Sequence, residues 1–332
     1  MARSRRASGE FREAGDRLPE GARNHRLAGA SGSRASEAQM TLADDLRQDG
    51  LYEKLVFIVG NARSATTVVA HILNMSERVH LMEEANLFIH MTKPDFPKWF
   101  NTRHRDEGKP PRKGTYVPPF EGDEETGLAT LRRLARDYDF VGDKVAFNPF
   151  DTHDGRSQQQ YFFEEHAKFY AGCRYILTVR NPHESLLSMH RMFPSETLFS
   201  LLRCWLESLR YACIIYTSFK RCRVIFHESI GTETFSAIGE FIGLEFAAPQ
   251  AYFEERLRGT SRAAGYDFGR EHNAEIGTVL GGCEVLYRDL RNMFSPQTLL
   301  YQAPEPQFGL IGATIERIDK LQRSLGEAAV TS

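Results

Sequence analysis

The stretch from Lys54 to Leu73 limits the possible folds more than any other part of the chain. Leu55 to Val59 are five consecutive apolar residues, rich in β-branched types and short enough to form a buried parallel strand. Gly60 then opens a tight polar loop, and Thr66 or Thr67 falls in the first turn of the helix that follows. A strand, a short loop and a helix N-terminus make an anion cradle, because unpaired backbone N–H groups and the positive helix end point at one spot. Ser64, Thr66 and Thr67 offer hydroxyl donors, and Arg63 adds a fixed positive charge. The stretch predicts a site for a phosphate-like group.

The rest of the chain alternates in the same sense. Short apolar runs at Val79–Met82, Phe140–Phe147, Arg174–Arg180 and Arg223–His227 predict strands. Between them lie helical patterns at Thr66–Met75, 123–138, Ser157–Tyr170 and 196–219, and one after Ile230 with Phe235, Ile238, Phe241 and Ile242 turned inward. Pro182 stands where a helix begins, a position that suits it. Strands alternating with helices predict an α/β fold, three layers around a central parallel sheet with right-handed crossovers, followed by a helical C-terminal part. Residues from about 93 to 120 carry six prolines among Phe96, Trp99, Phe100 and Tyr116 and read as a long loop, either a functional cover or a mobile surface loop.

At 332 residues with 41% hydrophobic content, the chain can bury a sizeable core. Residues 1–39 are dominated by Arg, Ala, Ser, Gly and Glu, and they predict a disordered or non-native extension, with Met40 as an alternative start. Residues 40–332 are expected to form one domain. The net charge of −2 gives no global pull toward nucleic acid, so any anion site has to be a local concentration of positive charge. The five cysteines have no C-x-x-C pair or matching histidine spacing; they read as reduced thiols of a cytoplasmic protein, with no zinc site. No apolar run is long enough for a membrane span.

The loop from Gly60 to Thr67 lacks the Lys of a Walker A sequence. Asn61, Ala62, Arg63, Ser64, Ala65, Thr66 and Thr67 instead resemble the 5′-phosphosulfate loop of sulfotransferases, with Ala65 where that family usually has Gly. A Cβ there restricts positive φ, so the loop either keeps φ negative or carries strain. A second stretch, Val179-Arg180-Asn181-Pro182 with Ser188, is similar to the family's 3′-phosphate motif. Arg180 offers a planar fork of donors at a strand end and Ser188 a hydroxyl on the next helix, so both can reach one phosphate. Two phosphate sites fit 3′-phosphoadenosine-5′-phosphosulfate and do not fit ATP. Val224 to Ile230 and Phe241 to Leu244 resemble a further family segment, in which His227 replaces a Tyr and is a candidate for the adenine. Gly142-Asp143-Lys144-Val145 resembles the strand end that carries the family's lysine near the sulfuryl group.

The resemblance implies a P-loop-like fold and metal-independent, in-line sulfuryl transfer to a small-molecule or carbohydrate hydroxyl. It implies Arg63 and Lys144 as the charges at the leaving group. For the base it points to Glu84, with Glu83 as runner-up; His80, His90 and His104 match nothing recognisable. Glu84 reads equally well as a helix cap, and Lys144 as a surface charge at a strand end. The basic residues of 103–113 read as a solvated face or as an attractor for an acidic acceptor. A non-catalytic nucleotide-binding relative is the alternative, and a P-loop kinase a weaker one.

Overall fold

The computed structural model describes residues 50–103, 124–149, 152–153, 155–170, 172–245, 266, 268–271, 274–294 and 305–331. The expectations for residues 1–39, for His104 and for the side chains of the basic run 103–113 lie outside these residues. The described chain has the expected α/β fold, with a central five-stranded parallel sheet in the order β2-β3-β1-β6-β7. The strands are β1 (Leu55–Asn61), β2 (Val79–Glu83), β3 (Phe140–Phe147), β6 (Arg174–Val179) and β7 (Arg221–Phe226). A two-residue-per-strand hairpin, β4 (Thr152–His153) with β5 (Arg156–Ser157), stands apart from the sheet.

The helices are α1 (Thr66–Asn74), α2 (Leu87–His90), α3 (Phe96–Arg103), α4 (Gly127–Asp137), α5 (Gln158–Phe169), α6 (Pro182–Met192) and α7 (Leu198–Ser218). They continue with α8 (Thr232–Ile242), α9 (Phe268–Glu271), α10 (Ala274–Met293) and α11 (Glu305–Thr331). Residues Phe96–Arg103 correct the loop expected from the prolines around them. Pro97 sits in the first turn, where its missing N–H costs nothing, and Phe96 and Phe100 are buried one turn apart.

Side-chain alternation along the strands sorts the core into two layers. Leu55, Phe57 and Val59 of β1 join Tyr175, Leu177 and Val179 of β6 beneath α5, α7, α10 and α11. Val56 and Ile58 face the other way with Ile176 and Ile225, packed on α1 (Val69, Ile72, Leu73) and α8 (Phe235, Ile238, Ile242). β1 therefore sits centrally, buried along its whole length. The chain leaves β1 toward β2 and leaves β6 toward β7, in opposite directions along the sheet. The loops after these two neighbouring strands thus diverge and leave a crevice at the C-terminal edge.

All five cysteines are buried and unbridged. Among the described residues no helix is long and apolar enough to cross a membrane, and no group of three His, Cys, Asp or Glu is placed to hold a metal.

Candidate active site

The loop after β1 is held so tightly that its geometry follows from two contacts. Ser64 is fully buried; its Oγ lies 2.6 Å from the Asn61 carbonyl, to which it donates, and 2.7 Å from Thr178 Oγ1 on β6. Gly60 is required beneath it: a Cβ would stand 2.2 Å from Thr178 Oγ1 and 2.5 Å from the Thr178 carbonyl. Asn61 is also committed to the protein. Its Nδ2 donates to the Ala62 carbonyl at 2.9 Å, and its Oδ1 accepts from Ser208 Oγ at 3.3 Å and Cys204 Sγ at 3.5 Å on α7. The Ala62 N–H goes to the Phe147 carbonyl at 2.7 Å.

With those groups consumed, what remains presented is Arg63, exposed, and the open first turn of α1. Ala65 is the N-cap of α1 at φ 75°, with no side-chain cap, and the helix begins its bonding at Val69 N–H to Ala65 carbonyl. The sequence left two outcomes for Ala65, and the structure has the strained one. The N–H groups of Ala65, Thr66, Thr67 and Val68 have no acceptor among the described residues. An uncapped N-terminus of this kind attracts an anion.

The Arg180 motif meets the loop across the crevice. Arg180 Nη1 donates to the Arg63 carbonyl at 3.0 Å, and Nη2 to Glu184 Oε2 at 3.3 Å. Its Nε is buried with no hydrogen-bond partner. Burial lowers the guanidinium pKa from its usual value, against the opposing pull of Glu184 and Glu228. Arg63 Nε in turn donates to Ser188 Oγ at 2.9 Å. Residues 117 and 125 positions apart in sequence thus touch. Arg63 rests on the hydroxyl that the sequence reading paired with Arg180.

Asn181 caps α6 through Oδ1 to the His183 and Glu184 N–H groups, at 2.9 and 3.3 Å. Its own N–H goes to Glu228 at 3.0 Å, whose other oxygen accepts from Tyr287 of α10. His227 is half-buried at the end of β7, and burial together with the Arg180 charge lowers its pKa.

The acidic side of the crevice lies beyond β3. Lys144 is buried inside β3 and its Nζ donates to Glu84 Oε1 at 2.9 Å, so it is no surface charge. Glu84 follows β2 at φ 56°, and its N–H bonds the Lys144 carbonyl at 2.7 Å. It does not cap α2: that helix starts at Leu87 after Asn86, itself at φ 47°. Glu83 is turned away to His71 Nε2 of α1, at 2.5 Å. His80 and His90 are buried. His80 packs on the Tyr138 ring, and His90 packs on Trp99 and contacts Asp95 at 3.2 Å.

Asp143 went unassigned in the sequence, although a carboxylate inside an apolar strand was the available signal. It is buried, and its two oxygens accept the Ala85 and Leu87 N–H groups at 2.9 and 3.2 Å. That clamp sets the turn carrying Glu84. Burial raises its pKa to about 7, against the two N–H donors and Lys144. The four non-glycine residues with positive φ among the described residues are Arg63, Ala65, Glu84 and Asn86, all in the two loops of this site. Strain gathered in this way marks a functional region.

No protein-family model and no curated protein matches the sequence. Among solved structures, the chain is similar to the sulfotransferase domain of the olefin synthase of Synechococcus PCC 7002, at 15% identity over 80% of this chain and 93% of that one, with a TM-score of 0.45. It is also similar to the sulfotransferase STF9 from Mycobacterium avium, at 11% identity over 77% of this chain and 81% of that one, with a TM-score of 0.41. Both likenesses are of fold.

Proposed function

We propose that the chain moves a sulfuryl group from 3′-phosphoadenosine-5′-phosphosulfate to an acceptor hydroxyl. The observation that carries this reading is the crossing of the two phosphate motifs: Arg180 bonds the Arg63 carbonyl while Arg63 bonds Ser188. A single-phosphate ligand needs one cationic subsite. Here the open α1 N-terminus and the Arg180–Ser188 pair are two subsites joined by Arg63. The buried, unpartnered Nε of Arg180 and the uncapped α1 turn are the polar groups that a nucleotide with two separate anionic groups would satisfy.

In this reading the N–H groups and hydroxyls of Thr66 and Thr67 hold the 5′-phosphate, and Arg180 and Ser188 hold the 3′-phosphate. His227 borders the adenine. When bound, the donor supplies a sulfuryl group activated by its phosphate leaving group. Among the described residues the exposed Arg63 side chain is tethered only through its Nε to Ser188, so its guanidinium is free to turn toward an anion in the crevice. The positive charge of Arg63, Lys144 and the α1 end would neutralise the leaving group without a metal. Glu84, one-third exposed and paired with Lys144, would take the acceptor proton.

The test is a thermal-shift titration with adenosine 3′,5′-bisphosphate. A rise in Tm is expected, abolished in Arg180→Ala. No shift at saturating nucleotide would refute the proposal. Binding without turnover over a broad acceptor panel, unchanged by Glu84→Gln, would favour the non-catalytic reading.

A further inference from the structure

Arg180 and Arg63 bring positive charge to the crevice, and Glu184 and Glu228 set negative charge against them. Arg180 can serve a phosphate only if these carboxylates leave part of its guanidinium open. Glu184 stands one helical turn further along and takes Nη2 at 3.3 Å. The buried Nε has no partner. Glu228 is the remaining competitor. It comes from a separate segment, the turn His227–Ser229 after β7, and it is exposed.

An exposed glutamate beside an arginine ordinarily turns onto it. Here both oxygens of Glu228 are engaged elsewhere. Oε1 accepts the Asn181 N–H at 3.0 Å, and Oε2 accepts the hydroxyl of Tyr287 on α10. That N–H and the Arg180 carbonyl are the two ends of one peptide unit, and the carbonyl accepts Trp205 Nε1 of α7 at 3.1 Å. The peptide that carries Arg180 into the crevice is thus pinned from both sides. Tyr287 is buried, and its ring stands edge-on to Phe226 with centroids 5.6 Å apart, so packing aims the hydroxyl. Burial and the Glu228 charge push the phenol pKa up, which keeps the hydroxyl a donor. Glu284, on the same face of α10, meets His183 Nε2 of α6 at 3.0 Å. α10 therefore reaches the nucleotide motif at two points.

We propose that Tyr287 is a positioning residue for the 3′-phosphate subsite: it ties the Glu228 carboxylate to the backbone of Asn181 and so keeps it off the Arg180 guanidinium. The proposal rests on the donor reading, which assigns the 3′-phosphate to Arg180 and Ser188. Without the hydroxyl, one oxygen of Glu228 is released and competes with that phosphate for Arg180. A nucleotide lacking the 3′-phosphate has far less at stake in the exchange.

Calorimetric titration of the full chain with adenosine 3′,5′-bisphosphate and with adenosine 5′-monophosphate gives a ratio of affinities that isolates the 3′-phosphate. The wild type should favour the bisphosphate by about tenfold or more. Y287F should cut this ratio by about three- to fivefold, the worth of one partly exposed ion pair. E228Q keeps an oxygen for the Asn181 N–H but carries no charge, so in that background Y287F should change the ratio by less than about twofold. An unchanged ratio in Y287F would overturn the proposal. So would an equal drop with and without E228Q, or an equal weakening of both nucleotides, which marks lost packing rather than lost positioning. A wild type that binds the two nucleotides equally would refute the donor reading, and the proposal with it.

Discussion

Lys144 and Glu84 form an ion pair whose two halves are unequally exposed, and that inequality sets a measurable asymmetry. The Lys144 side chain is 3% exposed and the Glu84 side chain 35%. Glu84→Gln leaves an ammonium inside β3 facing a neutral amide. Stranding one partner of a fully buried pair costs roughly 3–5 kcal/mol. The exposure of Glu84 and the acceptor oxygen that Gln retains lower this to about 2 kcal/mol. Lys144→Met keeps the apolar stem and leaves Glu84 to rehydrate through its exposed edge, at a cost of about 1 kcal/mol or less. Urea unfolding of the two variants, compared through their midpoints at constant m-value, reads the difference. A Lys144→Met variant less stable than Glu84→Gln would refute the burial argument and with it the view of Lys144 as a charge held in place by Glu84.

Three further outcomes are expected. Ala65→Gly should stabilise the protein: relieving a left-handed Ala is worth roughly 1–2 kcal/mol, less about 0.4–1 kcal/mol for the freer unfolded chain, and thermal unfolding should show a rise of a few degrees at most. Gly60→Ala should cost about 3 kcal/mol or more, because its Cβ meets the Thr178 carbonyl at 2.5 Å; a variant of wild-type stability would show that β1 and β6 can separate freely. Asp143, with its folded pKa raised to about 7, binds its proton more tightly in the folded state than in the unfolded state. Its favourable contribution is therefore complete below the unfolded carboxylate range and is lost as pH rises through about 7. Urea midpoints followed from pH 5.5 to 8.5 should fall more steeply in the wild type than in Asp143→Asn, and parallel profiles would exclude Asp143 as the titrating group.

Local chemistry made most of the elements legible in the sequence. Five short apolar runs became the five parallel strands, and Pro182 and Gly60 stand where a helix start and a tight loop require them. The exception was Phe96–Arg103, where prolines outweighed the pairing of Phe96 with Phe100, a preference that burial against the core reverses. The site was legible as separate pieces. Arg63, Ser64, Thr66 and Thr67 could be named because an anion site uses such charges and hydroxyls, and Asn61, Ala62, Ala65, Arg180 and Ser188 because their stretches resemble a family's motifs. Their joining could not be read, since Arg63 meets Ser188 only after β1 and β6 pair.

The same division holds for the anion cradle itself. By itself the sequence determined that a strand runs into a loop and a helix N-terminus, with Arg63 at the bend, because spacing and residue type decide such local structure. Only the tertiary structure decided which of its groups stay available. Ser64 and Asn61 are spent on Thr178, Ser208 and Cys204, while the α1 N–H groups are left open. It also decided that Ala65 adopts a left-handed conformation, that Lys144 is buried on Glu84 and that Asp143 clamps the turn beside them. Each of these depends on contacts between segments dozens of residues apart, and such contacts form only when the sheet is assembled.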